Sequence, residues 1–143
     1  MAITTAICNS FKTEALTGVH NFTVTTGDVF KVALYTSSAS LDKNTTAYSA
    51  TNEVGNSGTY SAGGGTLTNV TPVLSTDTAV CDFADISFTT ATITARGLMI
   101  YNSTDSNKAV CVIDFGADKT STAGTFSITW PVADASNAIV RLA

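Results

Sequence analysis

The segment 97–116, GLMIYNSTDSNKAVCVIDFG, most constrains the fold of this chain. Its two apolar runs, LMIY and AVCVIDF, flank the polar stretch NSTDSN, which is the pattern of a β-hairpin. Both runs are apolar at successive positions, so both faces of these two strands are expected to be buried. The hairpin is therefore predicted to lie at the centre of a sheet.

Shorter segments of similar pattern predict the remaining strands. In 28–36, DVFKVALYT, the side chains of Phe30, Val32 and Leu34 are expected to face the core, and the intervening ones to face the other way. The polar segment GADKTSTAG (116–124) is expected to be a loop. Further strands are predicted at 66–73, 78–83, 85–95, 124–130 and 137–143.

Two segments depart from this strand pattern. The stretch 9–17, NSFKTEALT, predicts a short helix with Asn9 and Ser10 as cap residues and Gly18 as its stop. The stretch 37–66 is rich in Ser, Thr, Asn and Gly and predicts a long loop. Loops of this length in compact domains are usually functional or lie against a partner. We expect this loop to be fixed by a neighbouring subunit.

The composition agrees with a β fold. The chain has 26 threonines and 14 serines, whereas charged residues make up only 13%. Threonine is β-branched and suits a pleated surface. With eight or nine strands expected at short spacing, the sequence predicts an all-β, single-domain antiparallel β-sandwich or jelly-roll-like barrel with one short N-terminal helix. The domain would span 1–143, with an arm and helix in 1–20 and a β core in 28–143.

The charge and the cysteines of the chain argue against several classes of function. The net charge is −4, and the seven basic residues are scattered, which argues against a nucleic-acid partner. Cys8, Cys81 and Cys111 are far apart and form no CxxC motif, so buried free thiols are expected. The N-terminus does not resemble a signal peptide, and no apolar run approaches the ~18 residues of a membrane span. We therefore expect no membrane partner and folding in a cytoplasm.

Few residues are candidates for chemistry. The residue counts leave open a Ser–His–Asp arrangement built on His20, but no GxSxG motif is present and the neighbours VHNF favour a structural role. The triplet GGG at 63–65 lacks the rest of a phosphate loop and is expected to allow a sharp turn or a close approach. The aspartate pairs lack the spacing of a glycosidase or a calcium loop and are read as turn formers: Asp82 with Asp85, and Asp114 with Asp118. We predict no catalytic residue, metal site, cofactor or small-molecule substrate.

An ordered series of segments resembles a known family. The series is MAITTAICNSFKTEAL, FKVALYTSSASL, TAYSATNEV, GTYSAGGGTLTNVTP, TARGLMIYNS, KAVCVIDFG and SNAIVRLA. It is similar to small virion structural proteins of tailed bacteriophages over nearly the whole chain. The resemblance implies a non-enzymatic virion protein and favours capsid decoration (cement), in which the protein binds and stabilises the assembled capsid lattice. The alternatives are a small tail, neck or host-receptor-binding component, and then a hydrolase.

The resemblance also implies partners and a location. The partners would be the major capsid protein and copies of the chain itself, arranged as a homotrimer. The chain would be made in the host bacterial cytoplasm and would end on the capsid surface of the virion. Candidate contacts between subunits are taken from the N-terminal arm, the long loop and the glycine triplet: Ile3, Ile7, Ser37, Ser38, Tyr48, Tyr60, Gly63, Gly64 and Gly65.

Overall fold

Eight strands and one helix form within residues 2–143, the part of the chain that the computed structural model describes. In chain order they are β1 (Ala6–Ile7), α1 (Asn9–Leu16), β2 (Phe30–Tyr35), β3 (Gly65–Thr66), β4 (Asn69–Ser75), β5 (Thr78–Phe83), β6 (Ile86–Asn102), β7 (Lys108–Ile128) and β8 (Val140–Leu142).

The strands form two antiparallel sheets. The large sheet has the order β1-β7-β6-β2-β3, and the small sheet has the order β4-β5-β8. Every pairing between named strands is antiparallel. The predicted all-β sandwich class with one short N-terminal helix is therefore confirmed.

The predicted hairpin is the centre of the large sheet. Its strands β6 and β7 pair from Asn102 and Lys108 at the turn to Ile86 and Ile128 at the far end. Both are longer than predicted, and the loop expected at 116–124 is wrong, because this stretch continues β7. Its threonines and serines looked like loop residues, but hydroxyl side chains on a solvated strand face have the same composition.

The two faces of β2 are both buried. The expected inward residues Phe30, Val32 and Leu34 are fully buried, and so are Ala33 and Tyr35 on the other face. A strand with one solvated face would expose the second set. Here the chain after the strand returns to β2. Val54 N donates to Leu34 O at 2.9 Å along the edge of the strand, and Ser49 O accepts from the side chain of Tyr35 at 2.8 Å on that second face.

The helix forms where predicted, but not with the predicted cap. Its N-cap residue is Cys8, whose side chain makes no cap hydrogen bond, whereas Asn9 and Ser10 lie in the first turn. Cap preferences describe which side chains suit the position, and packing of the helix decides which residue occupies it. Gly18 follows the helix with a φ of +79°, the left-handed conformation expected of a glycine stop.

Aromatic side chains join the two sheets. Phe83, at the end of β5 in the small sheet, lies 5.8 Å from Phe30 of β2 between ring centroids. Phe22 stacks on Phe30 at 4.3 Å, and Trp130 lies 6.1 Å from Phe83. Aromatic pairs at such distances add to the stability gained from burial alone. This cluster fixes how the small sheet sits against the large one.

Candidate interaction surface

The long loop is held from within the chain by Glu53. The carboxylate of Glu53 accepts hydrogen bonds from Tyr48 Oη, from Tyr60 Oη at 2.8 Å and from Gly63 N at 2.7 Å. Tyr101 of β6 in turn donates to the carbonyl of Gly63, and its ring stacks on Tyr48 at 4.7 Å. Hydrogen bonds to a charged group are stronger than neutral ones. We call this set the Glu53 cluster.

The cluster also sets the ionisation of its phenols. Burial and the negative charge of Glu53 raise the pKa of Tyr101 to about 12. Burial, followed by contact with Glu53, raises the pKa of Tyr48 above its ordinary value. The phenols thus stay protonated and keep their donor hydrogens over the neutral and mildly alkaline range.

The expectation that a neighbour must fix the loop is therefore wrong. Residues from this loop enter the core, since Ala39, Leu41, Val54 and Tyr60 are buried. Sequence composition did not reveal this, because Ser, Thr, Asn and Gly dominate the segment and its anchors are isolated apolar residues spaced along it. The loop is a packed layer over β2.

The candidate contact residues fall into three groups. Ile3 and Tyr60 are buried in the core, so they do not lie on a surface that a partner could reach. Ser37 and Ser38 are exposed at the turn that follows β2. The remaining residues are half-buried, and their role between subunits stays a prediction: Ile7, Tyr48, Gly63, Gly64 and Gly65.

The glycine triplet makes the close approach that the sequence predicted. A Cβ at Gly64, whose φ is +85°, would lie 1.8 Å from the carbonyl oxygen of Val32. Gly65 then pairs with Val32 as part of β3. Only a residue without a side chain lets the two backbones meet here.

His20 is a buried part of a polar cluster. Its side chain is fully buried; Nε2 lies 3.0 Å from Glu14 Oε1, and Nδ1 lies 3.1 Å from Asn102 Nδ2. The Asn102 carbonyl is already used by the backbone N–H groups of Thr104 and Asp105, which fixes the orientation of the amide. The NH₂ group of Asn102 therefore faces Nδ1, and it also lies 2.8 Å from Asp28 Oδ2 and 3.3 Å from Asp105 Oδ2, so three acceptors share its two hydrogens.

The neighbours of His20 leave neither of its ring nitrogens free. Both ring nitrogens are taken, by a carboxylate and by an amide, and the ring packs 4.8 Å from Phe11 between centroids. A Ser–His–Asp arrangement needs one ring nitrogen bonded to the nucleophile. His20 as observed therefore has the structural role that its neighbours predicted. That the chain has no enzymatic activity stays a prediction.

The cysteines are free thiols in apolar surroundings. Cys8 and Cys111 are buried and Cys81 is half-buried. Burial raises the pKa of the Cys8 and Cys81 thiols to about 11 and that of Cys111 to about 12. Thiols in this state are poor nucleophiles.

The small sheet carries an exposed apolar row that sequence reasoning missed. Leu74 of β4 pairs with Ala79 of β5, and Ala79 pairs with Leu142 of β8, so the three side chains share one face. Leu74 is 73% exposed and Leu142 is 67% exposed. We call these three residues the apolar row. The sequence feature that could have indicated this row is the pair Val73 and Leu74, because two successive apolar residues near the end of a short strand cannot both face the core.

Two further features are absent from residues 2–143. No cluster of three or more His, Cys, Asp or Glu side chains in that range could hold a metal ion. No helix in the same range is long and apolar enough to cross a membrane.

Comparison with protein-family models, with curated proteins and with solved structures found no match. The resemblance to small virion proteins therefore stays a prediction.

Proposed function

We propose that this chain is a non-enzymatic structural protein of a tailed-bacteriophage particle, and that it binds the assembled capsid lattice as a decoration (cement) protein. The family likeness of the sequence suggests this class. The structural observation that supports it is the apolar row, in which Leu74 and Leu142 extend into solvent on either side of Ala79.

The apolar row suits a contact with another protein. Soluble proteins tolerate single exposed apolar residues, but a contiguous set of them on one face marks an interaction surface. Covering one leucine side chain on binding is worth about 1.5–3 kcal/mol. A shell presents many equivalent sites, so a modest contact at each one suffices to occupy the lattice and to stabilise it by mass action.

The partners follow from the same proposal. The apolar row would contact the major capsid protein, and copies of this chain would meet as a homotrimer about a local symmetry axis of the shell. The location would be the outer surface of the capsid. A trimer is tested separately from shell binding, by sedimentation of the purified protein over a range of concentrations.

The test is binding to shells prepared without this chain. Wild-type protein is added to such shells and the bound fraction is measured after sedimentation. Leu74→Asp and Leu142→Asp are expected to reduce the affinity at least tenfold, because each would bury a charge at the contact. Both side chains are exposed, so both variants are expected to fold.

A matched control is Leu16→Asp. Leu16 is 81% exposed on helix α1, so it undergoes the same change of polarity outside the apolar row. It is expected to bind as the wild type does. Equal binding by all four proteins would remove the apolar row as the contact, and no binding by the wild type would contradict the decoration function.

A further inference from the structure

Strand β7 carries a bulge next to the half that lies near the hairpin turn. Gly97 and Ala95 of β6 face Asp114 and Lys119 of β7, so β7 carries three extra residues over this stretch. Extra residues in one strand of a pair form a bulge that bends the strand and re-aims its side chains. The bend brings Phe115 to 6.5 Å from Phe126 between ring centroids.

The inside of this bend is a groove. Its volume is about 380 Å³. The half-buried Phe115 and the small exposed parts of Phe126 (7%) and Ile128 (8%) supply apolar surface, Thr120 and Thr125 supply hydroxyl groups, and Lys119 supplies a charge. The groove is formed by β7 and the residue that follows it, so one strand presents all of these side chains.

The outer edge of β7 is open beside the groove. Strand β1 pairs only with Cys111 and Val112, and Thr5 Oγ1 accepts from Asp114 N at 2.9 Å. From Lys119 to Ile128, no strand of residues 2–143 pairs with this edge, which is interrupted by a bulge at Ala123, where φ is +44° and the register with β6 shifts. Unpaired N–H and C=O groups along a strand edge are a template for another strand.

The charge of the groove indicates which kind of partner segment would bind there. Lys119 is exposed and is the single titratable residue that lines the groove, and within residues 2–143 it takes part in no ion pair. The chain has a net charge of −4, so it attracts no acidic partner as a whole, but the local charge of Lys119 favours a carboxylate at the position opposite it. Antiparallel pairing of two copies centred on Lys119 would instead place two lysines opposite each other, which is unfavourable.

We propose that the β7 groove binds an extended, acidic segment of a partner protein. The segment would add a strand to the free edge at 119–128, seat an apolar side chain against Phe115 and Phe126, and place a carboxylate opposite Lys119. In such strand addition the backbone supplies affinity and alternate side chains supply specificity. This site is separate from the apolar row and does not depend on the proposed function.

The test uses the full-length protein and two soluble, end-blocked hexapeptides, TVEVTV and TVKVTV. Binding is followed by chemical-shift changes of the ¹⁵N-labelled protein. The glutamate peptide is expected to shift amides of 115–129 and to bind on the order of threefold or more tightly than the lysine peptide, as expected for one cross-strand charge pair. Lys119→Glu is expected to reverse that preference.

The control is Lys43→Glu, which makes the same charge change at an exposed lysine outside the groove. It is expected to keep the wild-type preference. The proposal is overturned by three results: no saturable shifts with either peptide, shifts outside 115–129, or a preference that Lys119→Glu leaves unchanged. Peptide-free dimerisation that Lys119→Glu alters would instead assign the groove to a second copy and would also overturn it.

Discussion

The hydroxyl group of Tyr60 accepts a hydrogen bond from the backbone N–H of Leu34 at 2.8 Å. Leu34 lies in β2 beyond the last residue that pairs with β3; its carbonyl accepts from Val54 N, and the Tyr60 side chain takes the place of a backbone acceptor for its N–H. The same hydroxyl donates to Glu53 at 2.8 Å. One phenol thus ties the long loop both to the sheet and to the Glu53 cluster.

Tyr60→Phe is therefore expected to destabilise the fold although it removes one atom. It leaves the buried Leu34 N–H without a partner and takes one donor from Glu53. A buried donor left unsatisfied costs about 1–3 kcal/mol. Chemical denaturation should show a loss of that size. Tyr48→Phe, at a half-buried residue that bonds Glu53 but no backbone N–H of β2, should lose less; an equal loss would contradict the role given to Leu34.

Gly64→Ala is expected to disrupt the pairing of β3 with β2. Its Cβ would lie 1.8 Å from Val32 O, so the two backbones would have to separate. We expect the free energy of unfolding to fall by more than about 3 kcal/mol, which is larger than the loss caused by most single substitutions.

Gly63→Ala is the matched control for this change. Gly63 also has a positive φ, +95°, but its Cβ would meet only Tyr101 Oη, at 3.6 Å. Left-handed strain alone costs about 1–2 kcal/mol. Similar losses in the two variants would mean that strain, and not the contact with β2, explains the glycine.

Features of the fold that depend on neighbouring residues in the chain could be predicted from the sequence, whereas features that depend on contacts between distant residues could not. The strand 78–83 and the hairpin turn were predictable, because side-chain periodicity and turn composition are local. The anchoring of the loop was not, since it depends on Glu53 meeting Tyr101 through Gly63, residues far apart in the chain. The apolar row was equally hidden, because only the strand register places Leu74 beside Leu142.

The single histidine gives a direct check of the polar cluster. Long-range ¹H–¹⁵N spectra of the native protein are expected to show His20 in the tautomer protonated on Nε2, because the NH₂ group of Asn102 faces Nδ1 and the carboxylate of Glu14 faces Nε2. The urea-unfolded chain is the reference, in which the contacts with Asn102 and Glu14 are lost and the two tautomers exchange freely. A native ring protonated on Nδ1 would contradict the orientation assigned to Asn102.

Stability is expected to fall at alkaline pH. The folded pKa of each of the three thiols and of Tyr101 is raised above its unfolded value, so the unfolded chain ionises first as the pH rises. The native state then holds more protons than the unfolded state, and the free energy of unfolding decreases with pH. Each thiol contributes a slope of about 1.4 kcal/mol per pH unit between its unfolded and folded pKa.

The measurement is denaturation at a series of pH values from 7 to 10.5, with the decline expected to begin near the unfolded thiol pKa of about 9. Thiol labelling at pH 8 provides the control. Labelling should be slow in the native protein and complete in denaturant, where Cys8 and Cys111 become accessible. Constant stability over this range would contradict the burial of the thiols.

The proposed role makes this chain a component of a phage particle, and its most direct test is the number of copies in purified particles, determined by quantitative mass spectrometry against the major capsid protein. A protein that decorates the lattice through the apolar row should be present at a fixed ratio to the capsid subunit, in hundreds of copies. About a dozen copies would instead indicate the neck or tail, and absence from the particle would contradict a virion role altogether.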